Sequence, residues 1–146
     1  MGAPLENRSR PSAVIVDIDG TLAIITDRNP YSHVGVLRDL PNTPVIEVVR
    51  ALAEAGHSII VVSGRSERAR KETEAWLKIH LGVPHIGPFL RALNDERQDA
   101  VVKREMFREK IAPRFDVLCV LDDRNQTVRM WRKLGLTCLQ VAPGNF

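Results

Sequence analysis

The sequence predicts an α/β fold, a three-layer sandwich with a central parallel sheet, and three observations carry that expectation. Continuous apolar runs rich in β-branched residues recur along the chain, as strands covered on both faces require. Segments with helical periodicity separate these runs, so strand and helix alternate and right-handed crossovers follow. The 146 residues are 44% hydrophobic and 27% charged, which suits one domain with a modest core and is too short for a second full one.

Residues 1–11 are polar and end in Arg10-Pro11, the pattern of a flexible N-terminal segment ahead of a domain over 12–146. Ala13-Val14-Ile15-Val16 reads as the first buried strand and runs into Asp17. Residues 24–43 lack clear periodicity, with a Pro-rich turn at 39–43; long irregular connections inside compact domains are usually functional. Pro44 suits a first helical turn, Val45, Val48, Val49 and Leu52 repeat at helical spacing, and Gly56 closes that helix. The second strand covers 58–62, a charged amphipathic helix 66–79, and a Pro-interrupted extended segment 83–90. Val101, Val102 and Met106 mark a helix over 96–111, and Val117-Leu118-Cys119-Val120-Leu121 a third strand. A short helix over 125–134 ends at Gly135, and 137–141 forms the last strand. There is no internal repeat and no low-complexity tract.

Composition excludes several classes of function. No apolar run approaches the ~20 residues that span a bilayer, and 1–10 has no apolar signal-peptide core, so a cytoplasmic protein without a membrane partner is expected. Cys119 and Cys138 sit in apolar, strand-like segments and read as buried free thiols; two cysteines form neither a disulfide framework nor a four-thiolate zinc site. The net charge of +3 is a mild basic excess. It is compatible with a polyanionic substrate without establishing one. His33, His57, His80 and His85 share no metal-ligand spacing and read as surface or turn residues. Trp76 and Trp131 fall at core-facing helical positions, and Arg68, Arg70 and Lys71 form a solvated helix face rather than a track for a polynucleotide backbone.

In a sheet of this kind, ligands bind beyond the carboxyl ends of the strands. Three strands deliver polar groups there: Asp17-Ile18-Asp19-Gly20-Thr21, Ser63-Gly64-Arg65 and Asp122-Asp123-Arg124. Asp17 and Asp19 flank one residue where Gly20 permits a turn, so both carboxylates converge. Carboxylates so close repel, and a hard divalent cation such as Mg²⁺ cancels the repulsion, with Asp122 as a further ligand. Taken alone, an Asp-x-Asp-Gly stretch is equally a simple turn. Ser63 alone reads as a helix N-cap, Lys103 as a solvated helix residue, one of Asp122 and Asp123 as a cap, and Asp99 with Lys103 as an i,i+4 pair.

The ordered set resembles the haloacid dehalogenase superfamily of phosphotransferases, whose DxDGT motif is matched by Asp17 to Thr21, followed by Ser63, Lys103 and Asp122-Asp123. More narrowly, DIDGTLA, Arg28-Asn29-Pro30-Tyr31, VVSGR, DAVVKREMF, IAPRFDV, LDDRNQTVRMWRKLG and QVAPGNF are similar to the phosphatase domain of the phage-type polynucleotide kinase/phosphatase family, from Val14 to Phe146. The resemblance implies a Rossmann-like, haloacid-dehalogenase-like sandwich. It makes Asp17 the nucleophile that forms an aspartyl-phosphate, and Asp19 the acid that protonates the leaving oxygen and then the base that activates water. Asp17, Asp19 and Asp122 would hold Mg²⁺, with Asp123 and Asp99 supporting. Thr21, Ser63, Gly64 and Lys103 would bind the transferred phosphoryl group, and Arg28, Arg65 and Arg91 would surround the substrate phosphate and its neighbours. The chain departs from the family at Asn94-Asp95-Glu96-Arg97, where relatives carry Gly-Asp-x-Arg; Asn tolerates the same left-handed backbone.

The stretches between motifs leave no room for a large cap domain, so the end of a polymer can reach the sheet edge. No G-x-x-x-x-G-K-[ST] stretch occurs, so a kinase half, if present, belongs to a longer parent chain. The expected function is a Mg²⁺-dependent polynucleotide 3′-phosphatase healing DNA or RNA ends. The alternatives are a small-molecule phosphatase or nucleotidase and a non-catalytic module that binds nucleic-acid ends. Homo-oligomerisation is left open.

Overall fold

A computed structural model describes residues 10–24 and 35–146. Residues 1–9 and 25–34 lie outside the described residues, and with them most of the expected flexible N-terminal segment, Arg28 and His33. Ser12–Val16 (β1) becomes the central strand because all but its first residue are apolar and fully buried. Its neighbours are Ser58–Ser66 (β4) and Asp116–Asp122 (β6), both parallel to it, with Val16 opposite Val61 on one side and Leu121 on the other. Ile86–Arg91 (β5) and Cys138–Gln140 (β7) complete a five-stranded sheet in the order β5-β4-β1-β6-β7, every pair parallel.

Alternation along β1 divides the core in two. Val14 and Val16 join Ile59, Val61 and Leu121 beneath Thr43–Glu54 (α1) and Arg70–His80 (α2), which contribute Ile46, Val49, Trp76 and Leu77. Ala13 and Ile15 join Ile60, Val62 and Val120 on the opposite face. That face is covered by Asp99–Met106 (α3) and Asn125–Lys133 (α4) with Val102, Met106, Val128 and Trp131. Helices on both faces of a parallel sheet are the architecture the sequence predicts. Its consequence is that β1, β4 and β6 stop side by side at one edge.

The differences in detail have local causes. The irregular stretch 24–43 contains a two-residue antiparallel pairing between Ala23–Ile24 (β2) and Leu40–Pro41 (β3), with a 3-10 turn at Val36–Arg38 before β3. Strands of two residues carry no readable period. The second strand runs on to Ser66 because it stays paired with β5 as far as Ser66–Arg91. The helix expected over 66–79 opens with a 3-10 turn, Glu67–Ala69, capped by Ser66. The helix expected from residue 96 begins only at Asp99 and continues past Met106 as a π-helical turn, Phe107–Ile111. Before it, Asn94 adopts a left-handed backbone, φ 65°, and the chain loops instead of coiling.

Cys119 and Cys138 are buried free thiols, and both tryptophans are buried in the core. His57, in the turn before β4, shares a 2.8 Å hydrogen bond with the Ser12 hydroxyl. Among the described residues, no helix is long and apolar enough to cross a membrane. Ile15, fully buried in the central strand, reports on the core: Ile15→Ala is expected to lower unfolding free energy in urea titration by about 2–5 kcal/mol, because the cavity sits where the sheet cannot collapse around it. A loss below about 1 kcal/mol would contradict this packing.

Candidate active site

The loop after β1 is set by backbone hydrogen bonds. Thr21 N–H donates to Ile18 O at 3.0 Å and Gly20 N–H to Ala23 O at 2.8 Å, with Gly20 at φ 80°. Only glycine fits there: a Cβ would stand 2.1 Å from Asp123 Oδ2, so the first loop and the β6 loop touch. Asp17 meets one residue of α3 and one of its own loop. Its Oδ1 accepts a hydrogen bond from Lys103 Nζ at 2.8 Å and its Oδ2 one from the Thr21 hydroxyl at 3.2 Å.

Lys103 is 2% exposed and also donates to Asp122 Oδ2 at 3.1 Å. It is therefore no solvated helix residue but the cation between β1 and β6. Burial works against its charge, but Asp122 and Asp17 outweigh burial and hold the ammonium protonated well above the ordinary lysine range. Asp122 is fully buried. Against that burial, Lys103, the Trp131 indole N–H at 3.0 Å and the Asp123 amide hold its carboxyl below the usual range. Asp17 goes the other way. Burial and the neighbouring Asp122 charge push it well up, and Lys103 only partly offsets them.

Asp17, Asp122 and Asp123 each present a carboxylate oxygen within 4.8 Å of the others, and all three are buried. Three carboxyl groups face one lysine cation, an excess of acidic groups that a divalent ion would balance. Three hard oxygen donors suit Mg²⁺ and offer nothing to a thiophilic metal. The side-chain grouping thus takes in Asp123, while the Asp19 carboxylate faces Arg65, which grips it with two guanidinium nitrogens at 2.9 and 2.6 Å.

Arg65 is 8% exposed and is itself held by Asp39 at 3.1 Å and by the Thr73 hydroxyl at 3.1 Å. Ser63, fully buried on β4, accepts from Arg65 N–H at 3.1 Å; the cap of the following turn is Ser66. Arg91 turns its guanidinium onto the protein, donating to Gly64 O at 2.9 Å, to the carbonyls of Asp95 and Arg97, and to Asp99. Asp99 also takes Arg124, at 2.6 Å. The structure thus places Asp17, Asp19, Thr21, Ser63, Gly64, Arg65, Lys103, Asp122 and Asp123 at one sheet edge, with Asp99 and Arg91 bracing its rim.

Three participants escape sequence reasoning. Asp39 and Thr73 have no motif around them, and Trp131 reads as core; Arg124 is placed at the sheet edge by the sequence, but its partner Asp99 is not legible there. Only the indole had a signal, since a buried tryptophan needs a partner for its N–H.

Three carboxylates and a forked arginine at the ends of parallel strands, with a buried lysine from α3, are groups that can bind and attack a phosphoryl group. Comparison with known proteins agrees. A family model, the polynucleotide kinase PNKP phosphatase domain, matches residues 11–146. A protein of Autographa californica nuclear polyhedrosis virus described as a bifunctional polynucleotide kinase/RNA ligase is 35% identical over 128 residues, which are 86% of this chain and 18% of the viral protein. A chain of a Pnkp1/Rnl/Hen1 complex superposes with a TM-score of 0.91 at 40% identity, covering 96% of this chain and 49% of that one. A chain from the Pnkp1/Rnl/Hen1 RNA repair complex gives 0.90 at 41% identity, covering 96% and 45%. A class C acid phosphatase from Bacillus anthracis with tungstate bound, at 15% identity and a TM-score of 0.59 over 96% of this chain and 69% of that one, shares the fold alone. The chain spans half or less of the length of its closely similar relatives, and it belongs to the PNKP phosphatase-domain family of the haloacid dehalogenase type.

Proposed function

We propose that the chain removes the 3′-phosphate from polynucleotide ends, RNA ends in particular, through a covalent intermediate on Asp17. The observation that carries this is the Asp17 carboxylate, steered by Lys103 and Thr21 and set beside Asp122 and Asp123. The similarity to chains of an RNA repair complex supports the choice of RNA.

In the first half-reaction an Asp17 oxygen attacks phosphorus, and the bond from phosphorus to the 3′ oxygen breaks as Asp19 gives that oxygen its proton. In the second, water attacks the aspartyl-phosphate, Asp19 takes the proton from the water, and phosphate leaves with the Asp17 carboxylate restored. Arg65, anchored by Asp39 and Thr73, fixes the Asp19 carboxylate for both proton transfers. Lys103 stands against the charge on the transferred group, Ser63 and Gly64 frame its oxygens, and Asp99 with Arg91 braces β4 at Gly64. Asp17, Asp122 and Asp123 would hold Mg²⁺, whereas the sequence reading has Asp17, Asp19 and Asp122 with Asp123 supporting; when bound, the ion supplies charge neutralisation for the phosphoryl oxygens. Arg28 is assigned to backbone phosphate of the substrate, whereas Arg91, with its donors on protein acceptors, is a brace.

Two outcomes are expected. Asp17→Asn should cut phosphate release from a 3′-phosphorylated oligoribonucleotide by more than ~10³-fold. Asp19→Asn, given an aryl phosphate with a good leaving group, should form the aspartyl-phosphate and stall, a burst visible by rapid quench. Near-wild-type release by the first variant, or no burst in the second, would defeat the covalent route. The polymer reading is separable from it. The KM for the oligonucleotide should rise with salt as backbone contacts lose their counterion advantage, while that for a small aryl phosphate should barely change. Parallel salt curves, with equal kcat/KM for the oligonucleotide and for a nucleoside 3′-monophosphate, would point to a small-molecule phosphatase.

A further inference from the structure

We infer that Gln140 is a positioning residue for the metal site, its side-chain amide fixing the main chain of Asp123 and so aiming the carboxylate that completes the acidic group. The inference rests on the reading that Asp17, Asp122 and Asp123 hold a divalent cation. Register sets the starting point: β7 runs parallel to β6 with Gln140 opposite Asp122. Beyond that pair the two chains stay together. Val141 N–H donates to Asp122 O at 3.1 Å, and Asn125 N–H to Gly144 O at 2.7 Å. The Gln140 Nε2 group uses both of its hydrogens, donating to Asp123 O at 2.8 Å and to Asn125 Oδ1 at 2.7 Å. Gly144 lies so close that a Cβ there would stand 1.8 Å from Asp123 O.

The turn that carries two of the three carboxylates is thus strapped from outside by residues 140–144. For Asp123 the consequence is specific. Its N–H is held by Asp122 Oδ1 at 2.8 Å and its carbonyl by Gln140, so both peptide planes flanking its Cα are fixed, and with them the direction of Cβ. The other end of the side chain meets Gly20 and the Thr21 hydroxyl, 3.4 Å from Oδ1. Without the amide, the Asp123 carbonyl loses the donor that fixes its direction, the 123–124 peptide is held less tightly, and the Asp123 carboxylate is no longer kept in its place among the other two. Gln140 itself is largely exposed, so its role is not one of core packing. Groups that orient metal ligands in this way are commonly worth 10–100-fold in metal affinity.

The test uses the full chain and Mn²⁺ as the probe, with free ion counted by its EPR signal. Gln140→Met keeps the length of the side chain and loses the amide; Gln140→Ala removes both. In each, the Mn²⁺ dissociation constant should rise about tenfold or more, and phosphatase rate lost at low Mg²⁺ should be recovered as Mg²⁺ is raised. Wild-type Mn²⁺ affinity in both variants overturns the inference, as does a lower melting temperature of the metal-free protein with unchanged Mn²⁺ affinity, which makes the contact merely structural. Wild-type protein that binds no Mn²⁺ overturns the metal reading itself, and the inference with it.

Discussion

The site is organised around a single buried ammonium. Lys103 sits between Asp17 and Asp122, each of the three almost wholly removed from water, and transfer of such groups out of water is unfavourable unless each is paired. The pairing spans three elements, α3 on one face of the sheet and the adjacent strand ends β1 and β6. A lysine alone does not neutralise three carboxylates. Burial first, and the Asp122 charge second, hold the Asp17 carboxyl well above the usual range, and the crowding of carboxylates is what a cation would relieve. The proposed chemistry and the local electrostatic strain have the same origin here.

Around that centre, arginines serve as struts. Arg65 ties Asp19 to Asp39 and Thr73, linking the first loop to the residue just before β3 and to α2. Arg91 and Arg124 converge on Asp99 from β5 and from the β6 loop, at the start of the helix that carries Lys103. The planar guanidinium suits this work because its fixed fork holds two or three acceptors in one geometry, which a lysine cannot do. The basic excess of the sequence is thus partly spent inside the protein, and net charge is a poor guide to how much of it faces a polyanion.

The sheet was legible because buried parallel strands are long apolar runs and their order of burial leaves little choice of topology; 13–16, 58–62 and 117–121 each became a strand of the central three. The reactive edge was legible because Asp17, Asp19, Ser63 and Asp122 all follow such runs directly. Lys103 was not legible from its own surroundings. A lysine on a charged helix has no local mark of burial, and only the ordered motifs and the resemblance they support single it out. Asp39 and Gln140 were illegible for another reason. Each acts through one long-range contact, 26 residues away to Arg65 and 17 to Asp123, and neither spacing repeats. Asp123 illustrates the limit of motif reading, since adjacent aspartates look alike in sequence while their backbones are held by quite different partners.

The central claim is that a carboxylate of the protein, and not water, attacks phosphorus first. Two in-line displacements return the original configuration at phosphorus, and one inverts it. Hydrolysis of an oligonucleotide 3′-thiophosphate made chiral with oxygen isotopes, carried out in water labelled with the third isotope, measures this directly. Attack by Asp17 gives net retention; net inversion would mean that water attacks in a single step and that Asp17 is not the nucleophile.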